Sequence, residues 1–214
     1  MRKLFFLLLL AGLSFAGCQN NGGTTKALIT TNLGEIEVKL YNDTPKHKEN
    51  FIKLVEESYY DGTLFHRVIS NFMIQGGDPT SIGAGPNVPL GGGGPGYMID
   101  QEIGAPHLRG ALAAARTSNP AKASSGSQFY IVTGEKQSDS TLDLYERRKG
   151  MQYNDAQRAA YKEIGGRPDL DLDYTVFGEV TRGMDVVQAI ADSPKGRGDR
   201  PTTDVVIESI RLVD

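Results

Sequence analysis

Charged and apolar residues alternate through Glu35, Ile36, Glu37, Val38, Lys39 and Leu40, the period of a strand with one wet face and one dry face. With "ALITT" before it and an Asn-Leu-Gly turn between, this predicts a pair of short strands. The period then changes. Phe51, Leu54 and Val55 fall on one face at helical spacing, behind Thr44 as a cap and Pro45 as a first helical residue. Strand patterns return in "TLFHRVI" and "FMIQGG", expected to pair, and in "SQFYIVTG", "YTVFGEV" and "VVIESIRLV". A second helix is expected in "GMDVVQAIAD", with Val187, Ile190 and Ala191 on its buried side. "GALAAAR", 110 to 116, resists this reading because its composition favours a helix. Many short strands with two helices predict a mainly β protein built as a closed or nearly closed antiparallel barrel.

The chain opens differently. Arg2 and Lys3 precede "LFFLLLLAGLSFA", an apolar run of signal-peptide length rather than membrane-spanning length. It closes on "FAGC", which resembles the lipobox of bacterial lipoproteins, with Cys18 as the lipidated residue. Residues 1–17 are thus expected to be a signal peptide and 18–25, beginning "CQNNGGTT", a flexible tether. Cys18 is the only cysteine, so no intrachain disulfide is possible.

Residues 26–214 are long enough for one domain with a sizeable core. Loss of Arg2 and Lys3 takes the 23 basic residues to 21 against 26 acidic ones, a formal charge of −5. That balance argues against phosphate-backbone binding, so no nucleic-acid partner is expected. His47, His66 and His107 have no metal-site spacing, and neither a metal nor another cofactor is expected. "GGGGPG" lacks a following Gly-Lys-Ser/Thr and reads as a surface loop rather than a phosphate cradle.

The chemistry gathers in "FHRVISNFMIQGGD", which closely resembles the signature of the cyclophilins, peptidyl-prolyl cis/trans isomerases. "GSQFYIVTG" and "YTVFGEV" are similar to the family's later motifs, and "GALAAAR" sits where the family has a strand on the rim of the proline pocket. The resemblance implies a barrel of about eight antiparallel strands capped by two helices, with "GALAAAR" as a strand despite its composition. It also implies an activity. Rotation about X-Pro costs amide resonance, with a barrier of about 18–20 kcal/mol. In the twisted transition state the prolyl nitrogen regains a lone pair, so a donor aimed there favours the transition state over the planar ground state. Arg67, always charged and donor-only, suits that task.

Carried over position by position, the resemblance makes Arg67 and Gln75 catalytic. It places Phe72, Met73 and Tyr130 in the proline pocket, has Gln75 and Gln128 hold the substrate backbone and orient Arg67, and sets Ala115 and Arg116 where backbone pairs with the peptide. Leu170 and Tyr174 become the far wall. Tyr130 stands where the family usually has Phe, and its hydroxyl needs a partner. Asp169 stands where the family's cyclosporin-binding members carry a tryptophan whose indole donates to the drug.

One stretch has no counterpart in the resemblance, an insertion at about 136–168. Asn154 can cap a helix over "DAQRAAYKEI", ended by Gly165-Gly166, with Tyr153, Ala160, Tyr161 and Ile164 as a modest apolar face. It is either an elaborated loop packed on the barrel or a wall extending the substrate groove. The expectation is a prolyl isomerase, monomeric, acting on proline-containing polypeptides among exported proteins. It would be lipid-anchored through Cys18 in the cell envelope, facing the periplasm. The alternative is a peptide-binding chaperone or assembly module whose isomerase activity is incidental.

Overall fold

The computed structural model describes residues 24–214; the expected signal peptide, Cys18 and the tether through residue 23 lie outside the described residues. The expected hairpin forms from β1 (Thr25–Thr31) and β2 (Gly34–Leu40), in register from Thr25 opposite Leu40 to Thr31 opposite Gly34. Its alternation buries Ala27, Ile29, Ile36 and Val38 completely. Gly34 turns the chain at φ +135°, and a Cβ there would come within 2.9 Å of Val186, so the turn needs glycine. On its other side β1 pairs with the last strand (Ile207–Val213), where Thr30 faces Ser209 and Thr31 faces Ile207. Glu208 is therefore the extra residue of a bulge. This is why Ile207 and Ile210, three residues apart, both point into the core.

In chain order the remaining strands are β3 (Arg67–Ile69), β4 (Met73–Gly76), β5 (Met98–Ile99), β6 (Ala111–Ala114), β7 (Ser124–Ser125), β8 (Phe129–Val132) and β9 (Val176–Arg182), with the last strand as β10. Eight of them form one antiparallel sheet in the order β10-β1-β2-β9-β6-β8-β4-β3, and β5 pairs separately with β7. The sheet curls until its ends approach through a bridge between Leu64 and Val206, just before β3 and β10. Inside lie Phe51, Tyr60, Phe65, Phe129 and Phe177, with Phe51 and Phe129 edge to face at 5.9 Å. Truncating Phe51 to Ala would cost about 3–5 kcal/mol.

"GALAAAR" is the strand β6. Its four strand residues are all buried, Leu112 and Ala114 in the barrel core and Ala111 and Ala113 in a second apolar cluster on the outer face. A strand covered on both faces has no polar side to alternate with, which is what made it look helical.

Helices α1 (Pro45–Glu56) and α4 (Met184–Ala191) bury the expected Phe51, Leu54, Val55 and Val187, Ile190, Ala191. Thr44 occupies the N-cap position of α1 without capping it. The Glu102 carboxylate takes that role, accepting from the backbone N–H groups of Lys46 and His47, each at 3.0 Å. The insertion holds two helices where one was expected, α2 (Asp139–Lys149) and α3 (Asp155–Glu163). Asn154 caps α3 in a reciprocal box with Gln157, and Arg158 ties it to Asp139, Asp143 and Glu146 of α2. Leu142, Tyr153 and Tyr161 form a small core between them, whereas Ile164, expected on that face, is exposed.

Candidate active site

The sheet register builds the site. Arg67 faces Gln75, Gln75 faces Tyr130, Tyr130 faces Ala113 and Ala113 faces Val176, one row across five strands. Directly opposed residues point to the same side of a sheet, so this row projects from the outer face. A second row, Ile69, Met73 and Val132, runs beside it. Apart from Arg67 and Gln75, these residues belong to the outer apolar cluster, joined at its edge by Phe72, Leu170 and Tyr174. The expected pocket residues are thereby brought together, Phe72, Met73 and Tyr130 from one stretch of sheet and Leu170 and Tyr174 from the loop after the insertion. Tyr174 meets the Tyr130 ring edge to face at 5.9 Å.

Arg67 stands at the rim of this cluster, 41% exposed along its side chain, with its guanidinium 5.9 Å from the Phe72 ring centroid. Its Nε lies 3.6 Å from Asp199, a half-exposed pair that weighs little against a substrate. Gln75 does not bond Arg67. It donates to Gln128 at 3.0 Å, and Gln128 donates in turn to the carbonyls of Gly91 and Gly93 at 3.0 and 2.7 Å. The same two glycines donate their N–H groups to Asp78, a fully buried carboxylate that also accepts from the backbone and hydroxyl of Thr80. Burial pushes the Asp78 carboxyl up, but these donors outweigh it and hold the group below its ordinary value.

The glycine loop so fixed walls a cleft of about 350 Å³ beside the apolar cluster, with Gln75, Gln128, Ala115 and Arg116 between them. Ala115 bonds within the protein through both its N–H, to Gln128, and its carbonyl, from Ser125. Among the described residues the backbone groups of Arg116 have no partner, which leaves them open along this edge of the cleft. Its side chain is occupied, stacked 4.6 Å from the Tyr174 ring and donating to the Asp173 carbonyl.

The Tyr130 hydroxyl, which the sequence left without a partner, lies 3.0 Å from His107 Nε2, and His107 Nδ1 lies 2.8 Å from Asp171. Burial drives the Tyr130 phenol well above its ordinary pKa, so it stays neutral. Sequence reasoning missed His107 and Asp171, which lie 64 positions apart, and Asp78, whose loop partners carry no side chain to mark them. It also missed Arg167, whose guanidinium lies 4.1 Å from the Phe72 ring centroid. Asp169 is held by that arginine through both carboxylate oxygens, at 2.8 and 2.7 Å.

An apolar recess with a fixed cation at its rim and open backbone groups along one side can seat a proline ring, align the chain on either side of it and donate to the ring nitrogen. No group has to gain or lose a proton. Comparison with known proteins agrees. The family described as "Cyclophilin type peptidyl-prolyl cis-trans isomerase/CLD" matches residues 26–212. A Staphylococcus aureus (strain USA300) protein named "Putative peptidyl-prolyl cis-trans isomerase" is 39% identical over 189 residues, 88% of this chain and 91% of that protein. A Staphylococcus haemolyticus protein of the same name is 38% identical over 190 residues, with the same coverage. Among solved structures, a cyclophilin-type isomerase of Cryptosporidium parvum superposes with a TM-score of 0.64 at 26% identity, covering 90% of this chain and 99% of that one. A second structure of that protein, described as being in the presence of the dipeptide Ala-Pro, gives 0.63 at 26% identity over 88% and 99%. From the register of its site to the span of these matches, the chain belongs to the cyclophilin-type peptidyl-prolyl cis-trans isomerases.

Proposed function

We propose that this isomerase turns X-Pro bonds of exported proteins at the groove between Arg67 and Tyr174, while tethered to the cell envelope through a lipidated Cys18. The observation that carries the groove assignment is the single row of Arg67, Gln75, Tyr130 and Ala113, which sets a permanent cation at the lip of an otherwise apolar recess. Phe72, Met73 and Tyr130 take the proline ring with Leu170 and Tyr174 as the far wall, Gln75 and Gln128 align the substrate backbone, and Arg67 donates to the pyramidal prolyl nitrogen. The envelope assignment is supported by the apolar leader ending in "FAGC" and by the polar tether after it.

Two measurements test this reading. Refolding of an exported protein limited by a slow X-Pro step should accelerate with catalytic amounts of the domain. Cys18→Ser should move the full chain from the membrane to the soluble fraction, since acyl chains dominate such attachment. Unchanged refolding, or a variant that stays with the membrane, counts against the corresponding half of the proposal.

A further inference from the structure

The insertion reaches the apolar recess by two routes. On the first, Tyr153 and Tyr161 both donate their hydroxyls to Asp171 Oδ2, each at 2.6 Å, while the His107 N–H and Nδ1 lie 2.7 and 2.8 Å from Oδ1. A carboxylate only accepts, so Nδ1 is the donor to Asp171, and the other ring nitrogen, Nε2, lies 3.0 Å from the Tyr130 hydroxyl. On the second route, Arg167, in the segment leaving the insertion, lies against Phe72 while Asp169 fixes its guanidinium. We infer that the helical insertion is a positioning element of the isomerase site, setting the Tyr130 ring through Tyr153, Tyr161, Asp171 and His107. The inference rests on the assignment of Tyr130 to the proline pocket.

The relay is buried. His107 and Tyr161 are fully buried and Asp171 is 3% exposed, so water has no easy way to replace a lost donor. Gly166, at φ +151°, lets the chain pass close, since a Cβ there would run into the His107 carbonyl and the Tyr161 ring. The next residue, Arg167, donates its N–H to that same carbonyl at 2.8 Å, clamping His107 against the insertion. A device that only fastened the insertion to the barrel would have no need to end on a pocket ring. This one ends on Tyr130, and its companion contact ends on Phe72, so the insertion touches one wall of the recess directly and reaches another through Asp171 and His107.

A double-mutant cycle on kcat/KM for a short X-Pro peptide tests the inference. Tyr153→Phe/Tyr161→Phe keeps both rings and removes both donors, and it should lower kcat/KM about three- to tenfold in the folded domain. Added to Tyr130→Phe, which breaks the link to the pocket, the same pair should change kcat/KM by less than about twofold relative to Tyr130→Phe alone. A purely fastening role would lower the unfolding midpoint in both backgrounds and leave kcat/KM alone. That result, or an equal loss in both backgrounds, overturns the inference. Should the double variant not fold, tyrosine-selective carbon-13 labelling of the unaltered protein gives the answer. Saturating X-Pro peptide should shift the Tyr161 ring signals, and unmoved signals would refute the coupling. Arg67→Ala separates the two levels, because its failure to lower exchange would remove the pocket assignment whatever the insertion variants do.

Discussion

Arg67 stands directly opposite Gln75 in the β3–β4 ladder, yet the two side chains do not bond, Gln75 donating instead to Gln128. Arg67 is therefore held by its strand and by Phe72 and Asp199 alongside. Arg67→Ala should lower kcat/KM for an X-Pro peptide at least about tenfold with little loss of stability, because the side chain lies at the rim rather than in the core. Equal exchange rates in the two folded proteins would remove Arg67 from the mechanism.

The glycine loop gives a prediction that separates shape from chemistry. Asp78→Ala leaves the N–H groups of Gly91 and Gly93 and both donors of Thr80 without their acceptor. A loss of about 2–4 kcal/mol in urea unfolding is expected. Activity should fall mainly through a higher KM, since the loop walls the cleft and does not touch the prolyl nitrogen. A variant as stable as the parent would mean that the loop holds itself.

Acid should weaken the fold before it affects any carboxylate. Burial holds His47 below its ordinary pKa although Glu102 bonds its ring, and burial does the same to His66 against the opposing pull of Asp78. An unfolded histidine titrates near pH 6.5, so below about that pH the unfolded chain binds protons that the folded one refuses, and stability falls with pH. Glu102 adds to this in stronger acid. Burial raises its pKa, but the His47 ring and the backbone donors of Lys46 and His47 outweigh burial, and its contribution is lost as those bonds are protonated away. The urea midpoint should decline steadily from about pH 7 to pH 5, and a flat profile across that range would contradict both histidine assignments.

Cyclosporin should inhibit poorly. The resemblance sets Asp169 where the family's cyclosporin-binding members place an indole donor, and both its oxygens already accept from Arg167. The drug loses a donor and would have to cover an ion pair, a combined penalty of roughly thirty- to a thousandfold in affinity. Titration of the purified domain during peptide exchange measures it; inhibition at low-nanomolar drug would show that the rim is built otherwise.

Much of this was legible in the chain because the chemistry sits on regular strands. Once Arg67, Gln75 and Tyr130 are on paired strands, register places them in one row, and alternation assigns their face. The helix α2 was missed because Leu142 is its only buried residue, although Ser138 caps it and Gly150 ends it in a left-handed turn. The replacement of Thr44 by Glu102 as cap of α1, and the path from Tyr161 to Tyr130, join residues dozens of positions apart. Neither leaves a periodic trace. They depend on which side chains the fold happens to bring within hydrogen-bond distance.

Residues 91 to 96, five glycines and a proline, have the composition of slack rope. Gly91 and Gly93 are nonetheless strung between two fixed posts, Asp78 taking their N–H groups and Gln128 gripping their carbonyls. The entropy of stilling this stretch is settled when the domain folds, and an arriving peptide meets a finished wall. Bare backbone also presents no side chain to quarrel with the guest. Along this wall the enzyme is thus firm in outline and indifferent in taste, a combination suited to clients that share a proline and little else.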